Sequence, residues 1–344
     1  VSDKGKNEGF WWVDLSDEEL LKVRMCDLNL KIEGTALESR IKHVQSELDQ
    51  RNLCFTPHYW LSDEWFCPDG IPGIAIPFYL AHPRLEKLEK AKLYEVEGGD
   101  EQWCLKILRH EVGHAIENAF RLRLRKERRK IFGKSSVTYP EYYSPRPYSK
   151  SFVLHLDRWY AQSHPDEDFA ETFAVWLTPN SQWQARYEGW PALKKIKYMD
   201  TLMGQIARKT PGVINSNTLD PLESLTKTLG EHYYDRCKKY GMEHPSFYDK
   251  DLRSLFSSSP DFAKHPLAGQ FIRRKKRQIR SVVSRWTGIY QYTIDKVLDA
   301  MILRSSELGL RLTLSEEESL KQFTVLVTVQ TMNYLHSGRH RVAL

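Results

Sequence analysis

Cysteine is scarce in this chain and poorly spaced for bonding. The five residues, Cys26, Cys54, Cys67, Cys104 and Cys237, are odd in number, widely separated and form no C-x-x-C pair. That pattern argues against a disulfide framework and against a thiolate zinc site. Free thiols suit a reducing compartment, so a cytoplasmic protein is expected. Long apolar runs are missing too: nothing approaches 18 uninterrupted apolar residues, so no membrane span is expected. Val1 to Asn7 is polar and has no signal-type apolar core, although a start at Val leaves room for a removed leader. No internal repeat of 20 to 50 residues is present. A large charge excess is also lacking, with 51 Lys and Arg against 45 Asp and Glu for a net +6. So mild a balance speaks against nucleic acid as a partner unless the charge is concentrated somewhere.

What remains is ordinary globular material. A hydrophobic share of 41% with 28% charged residues can build a buried core, and 344 residues suit about two compact units. Ser16 to Glu19 reads as a capping box opening a helix through about Leu30, with a second helix at about Thr35 to Arg51. From Phe55 to His82 aromatic and β-branched residues punctuated by Gly and Pro predict short strands around a turn at Pro68-Asp69-Gly70. Pro77 favours a sheet edge there. Asp100 caps a long helix expected from about Glu101 to Phe132, and Tyr139 to Tyr148 reads as a Pro/Tyr-rich loop. Helices follow at about Pro165 to Leu177 and Pro191 to Ile206. Beyond about Asp251 the pattern is helical, with a second capping box at Ser315 to Glu318. The expected organisation is α+β: a mixed domain with a helical N-terminal segment over residues 1–206, a connector over 207–250, and a helical domain over 251–344.

The segment Arg109 to Phe120, R-H-E-V-G-H-A-I-E-N-A-F, contains H-E-x-x-H. On a helix, residues four apart stand on one face, so the imidazoles of His110 and His114 can converge on one metal ion. Glu111 lies beside the first ligand, placed to meet a metal-bound water without binding the metal. With twelve histidines in the chain, an accidental match has a chance on the order of a few percent. A catalytic zinc site needs a third protein ligand and keeps a fourth position for water. The extended pattern H-E-x-x-H-x-x-G-x-x-H is absent, because Glu117 and Phe120 stand where its Gly and third His would be. The best source of the third ligand is Ser163 to Leu177, S-H-P-D-E-D-F-A-E-T-F-A-V-W-L, where Glu167 and Glu171 share a face. Ala170 and Ala174 on that face allow close approach of the two helices. Glu167, Glu171, His155 and His164 all stay open as the third ligand from spacing alone.

These residues resemble the glutamate-liganded zinc peptidases, the gluzincins, and locally the anthrax lethal factor-like branch. That branch carries E-F-F-A-E-A-F after its H-E-F-G-H; this chain carries E-D-F-A-E-T-F, from Glu167, after H-E-V-G-H. The stretch from about Ile74 to Leu177 is also similar to bacterial sequences labelled as zinc-binding metallopeptidases. The resemblance implies a zincin-like catalytic domain, one zinc ion per chain, Glu167 as third ligand, and Glu171 orienting a ligand histidine by hydrogen bond. It further implies that Tyr160, seven residues before Glu167, helps to stabilise the transition state. In that class an extended substrate pairs with a strand edge near the metal helix, and Gly73, Ile74, Ala75 and Ile76 are the candidate edge.

The expected activity is hydrolysis of peptide or peptide-like amide bonds, with zinc-bound water activated by Glu111 and the developing oxyanion met by Tyr160. The alternative is a non-catalytic helical interaction or nucleic-acid-binding protein with a structural or decayed zinc site. Two basic runs, Arg121 to Lys130 and Arg273 to Arg280, read first as solvated helix faces. Neither is interleaved with the aromatics of a single-strand-binding surface. The C-terminal helices carry no catalytic motif; core packing is their default role, and they leave room for a homo-oligomer.

Overall fold

The computed structural model describes residues 9–93, 96–140, 142–143, 146, 149–157, 159–239, 248–288, 291–336 and 342–343. The polar stretch Val1 to Asn7 and parts of the Pro/Tyr-rich loop lie outside them. The chain forms two compact units, residues 1–236 with 342–344, and residues 237–341.

Unit 1 is dominated by helices around a small sheet. Its helices are α1 (Asp17–Leu20), α2 (Ala36–Gln50), α3 (Pro83–Leu93), α4 (Glu101–Ala119), α5 (Lys126–Phe132), α6 (Pro165–Leu177), α7 (Trp183–Arg186), α8 (Ala192–Ile206) and α9 (Leu229–Lys239), whose last residues pass the unit boundary. Strands β1 (His58–Ser62) and β2 (Gly73–Pro77) pair in parallel, His58 opposite Gly73 and Ser62 opposite Pro77. Phe66, on the link between them, bridges Ala75 antiparallel from the other side. A two-residue strand β3 (Tyr142–Tyr143) pairs antiparallel with β6 (Val342–Ala343).

Several elements differ from their sequence expectation for visible reasons. The box at Ser16 forms, with both reciprocal bonds to Glu19, but its helix lasts four residues. The chain then turns to bond across the unit, Met25 N–H to Lys227 O and Cys26 N–H to Leu225 O. The long helix ends at Ala119, because Arg121 is left-handed at φ 49°. Residues 207–236 do not stand apart as a connector. The indole of Trp60 donates to Leu219 O, Ser62 Oγ donates to Asp220 O, and Arg236 pairs with buried Glu89.

Unit 2 contains α10 (Asp249–Leu255), β4 (Phe256–Ser257), α11 (Ala268–Thr287), α12 (Gln291–Glu307), β5 (Arg311–Leu312) and α13 (Glu316–His336). Strands β4 and β5 pair antiparallel. Its core is one apolar cluster that includes Phe256, Phe271, Ile279, Leu298, Met301 and Phe323. Among the described residues no helix is long and apolar enough to cross a membrane.

Candidate metal centre

The site is built where α4 crosses α6. Asp100 caps α4 by accepting from Trp103 N–H, and from Ile107 to Ala119 every residue of that helix is buried. Polar side chains on such a helix are costly unless they are paired. Arg109 donates two bonds to Glu47 of α2, at 2.8 and 2.7 Å. At the other end Glu117 accepts from Arg128 at 2.7 Å and from Arg123 at 3.2 Å, and Arg128 also reaches Asp166 of α6 at 2.6 Å. The basic run after α4 is therefore no uniform solvated face. The chain breaks at Arg121 and folds Arg128, fully buried, back onto the metal helix. Asn118 adds a third tie, donating to Pro68 O and Ile71 O and accepting from Gly70 N–H.

Helix α6 begins at His164, whose Nδ1 accepts from Asp166 N–H while its Nε2–H donates to Val137 O. Both ring nitrogens are thus used as a cap, with Pro165 in the first turn. His155 Nε2 donates to Lys106 O, and burial pulls its pKa down to about 4. Neither of these histidines joins the cluster. The helices meet at Gly113 and Ala170: a Cβ on Gly113 would lie 2.9 Å from Ala170 Cα.

That approach brings His110, His114 and Glu167 together. Glu167 Oε2 lies 2.9 Å from His110 Nε2 and 3.1 Å from His114 Nε2, and the two imidazole nitrogens are 3.1 Å apart. Tetrahedral donors about 2.05 Å from a zinc ion stand about 3.3 Å from each other, so two imidazoles and a carboxylate fit this metal in kind and spacing. Three basic atoms aimed at one point favour positive charge there. Burial alone would pull His110 and His114 down, but Glu167, with Glu171 also at His110, raises both, His110 well above the usual histidine range. Burial likewise works to raise Glu167, yet the two imidazoles hold it well below the ordinary carboxylate range.

The surrounding groups each engage one member of the cluster. Glu171, fully buried, accepts from His110 Nδ1–H at 2.9 Å and from Leu156 N–H at 2.9 Å, which leaves His110 Nε2 free to act as a donor atom. Tyr160 sits with its ring centre 5.5 Å from that of His110. Burial, reinforced by the charges of Glu167 and Glu111, pushes its phenol far up, so it keeps its proton. Glu111 is buried, and its Oε2 has no hydrogen-bond partner among the described residues. Burial raises its pKa against the opposing pull of His110 and His114.

Spacing gave no sign of Tyr139. Its hydroxyl donates to Glu167 Oε1 at 2.8 Å, and its ring stacks on His164 at 3.7 Å. It lies 28 residues before its partner, in a stretch legible only as a loop. Gly73 to Ile76, the expected docking edge, form most of β2. All four are buried and paired with β1 on one side. At Ala75 the side of β2 away from β1 is taken by Phe66.

Residues 102–193 match the protein family described as "Putative zinc-binding metallo-peptidase". The matched stretch contains His110, Glu111, His114, Tyr139, Tyr160, Glu167 and Glu171. No curated protein and no solved structure matches the chain.

Proposed function

We propose that unit 1 is a gluzincin-type zinc peptidase of zincin-like design that hydrolyses peptide or peptide-like amide bonds. His110, His114 and Glu167 would hold one zinc ion per chain. Such an ion acidifies a coordinated water and polarises a scissile carbonyl. The chain's own groups do the rest. Glu111 accepts a proton at Oε2 and delivers it to the departing amine. Tyr160 donates its retained phenolic proton as a hydrogen bond to the developing oxyanion. Glu171 fixes the tautomer and ring plane of His110, and Tyr139 fixes the second oxygen of Glu167.

One observation carries this reading: a buried carboxylate oxygen without a partner beside a three-donor cluster. A structural zinc site has no use for Glu111, and an unpaired polar atom in a buried position costs about 1–3 kcal/mol. The test is Glu111→Gln with metal analysis and a peptide library. Both proteins are expected to hold about one zinc per chain, with turnover in the variant lower by about 10²–10⁴-fold. Equal turnover in the two would refute the role of Glu111, and a zinc-free wild type would refute the site.

A further inference from the structure

The mild charge of the whole chain conceals an uneven division. Residues 237–341 hold 18 Lys and Arg against 10 Asp and Glu, a net +8, whereas the rest of the chain is at −2. The concentration that the overall balance did not reveal is therefore in unit 2. Within it, α11 carries seven Lys and Arg and no Asp or Glu.

The structure sorts these cations. Arg274 pairs with Glu316, Lys276 with Asp299, and Arg280 with Asp295. Arg273, Arg277 and Arg285 are exposed and have no acidic partner among the described residues. At 100° per residue these three fall on one side of the helix, opposite Ile272, Ile279 and Val283, which are buried in the unit's core. From Arg273 to Arg285 the stripe runs about 18 Å along the axis, with Ser281 between the arginines and no acidic residue of α11 in it; Glu316 of α13 meets its edge at Arg274.

We propose that unit 2 binds the phosphate backbone of double-stranded nucleic acid along the stripe of Arg273, Arg277 and Arg285. Guanidinium forks suit phosphate oxygens, and a stripe of this length spans several phosphates rather than one. An anionic membrane fits less well. A helix lying in a bilayer surface needs a broad apolar face to insert; Phe271, Ile272, Ile279 and Val283 of α11 are buried in the core, and only Val282 and Trp286 of its large apolar side chains are exposed. A single strand fits less well too: α11 exposes one aromatic ring, Trp286 beside Arg285, where a run of bases stacks on several. The inference is independent of the peptidase reading and of the metal.

The test uses the full chain and a fluorescent 20-base-pair duplex, in DNA and RNA form, read by anisotropy. Binding is expected in the micromolar range at 50 mM salt, weakening by about 40-fold at 200 mM, the slope for three neutralised phosphates. The exposed triple variant Arg273→Gln/Arg277→Gln/Arg285→Gln should keep its circular dichroism, bind at least about tenfold more weakly at 50 mM, and lose most of the salt slope. Three outcomes would overturn the proposal: no saturable binding by wild type, a triple variant with unchanged affinity and slope, or tighter binding to a single strand or to phosphatidylserine vesicles than to either duplex.

Discussion

Glu171 and Tyr139 each hold a candidate ligand from its far side, one through His110 Nδ1 and the other through Glu167 Oε1. Groups in such positions tune metal affinity by orienting the donor atom, typically by 10–100-fold. Tyr139→Phe removes one hydroxyl and little packing, and should weaken zinc binding by about tenfold in competition with a chromophoric chelator. Glu171→Gln should cost about 10–100-fold in the same assay. Affinities unchanged within about twofold would show that these contacts do not tune the site. The two residues also mark what spacing can and cannot reveal. Glu171 was visible because it lies four residues from Glu167 on one helix, so periodicity alone put both on a shared face. Tyr139 reaches Glu167 only after the loop folds back over the start of α6, and no local pattern records that return.

Two positions bear on the stability of unit 1. A Cβ at Gly113 would meet the backbone of Ala170 first and the ring of Phe173 next, so α4 and α6 yield to a methyl group chiefly by moving apart. Gly113→Ala should destabilise unit 1 by about 1–3 kcal/mol in urea unfolding and weaken zinc binding with it, since the donors lie on both helices. On α9, His232 is buried, and neither of its ring nitrogens has a partner among the described residues. Burial, followed by the charges of Arg236 and Lys227 against that of Asp63, lowers its pKa to about 3. A histidine depressed in the folded state contributes stability above its unfolded pKa of about 6.5 and loses it as pH falls, because the unfolded chain takes up the proton first. At pH 5 that loss is about 2 kcal/mol. His232→Phe should shrink the difference in unfolding free energy between pH 7.5 and pH 5 by about this amount, and an undiminished difference would contradict the assignment. Sequence reading found α6 nearly end to end because Pro165 and the acidic first turn mark its start. It overran α4 because the break at Arg121 has no Gly or Pro to announce it. That break serves Arg123 and Arg128, whose partners Glu117 and Asp166 are met only in three dimensions.

At the scale of the molecule, a ligand that binds one unit should report on that unit alone. Zinc at about 100 times its dissociation constant stabilises the fold that holds it by about 2.7 kcal/mol. Calorimetry of the intact chain should therefore show a chelator lowering the transition of unit 1 while that of unit 2 stays in place; a common shift would mean the two unfold together. The division was only partly legible. Helical periodicity beyond Asp251 matches most of unit 2, but residues 207–236 looked like part of a connector, since the bonds to Trp60 and Ser62 link residues 159 and 158 positions apart. The pairing of β3 with β6 adds a last point. The chain leaves unit 1 after residue 236 and re-enters it at 342, so unit 2 is spliced into its host by two tethers. On the ribosome, Tyr142 and Tyr143 must wait through about 200 further residues, roughly 10–40 s at ordinary synthesis rates, before their partner strand emerges. The patch next to Tyr160 thus closes only after the whole of unit 2 has been made.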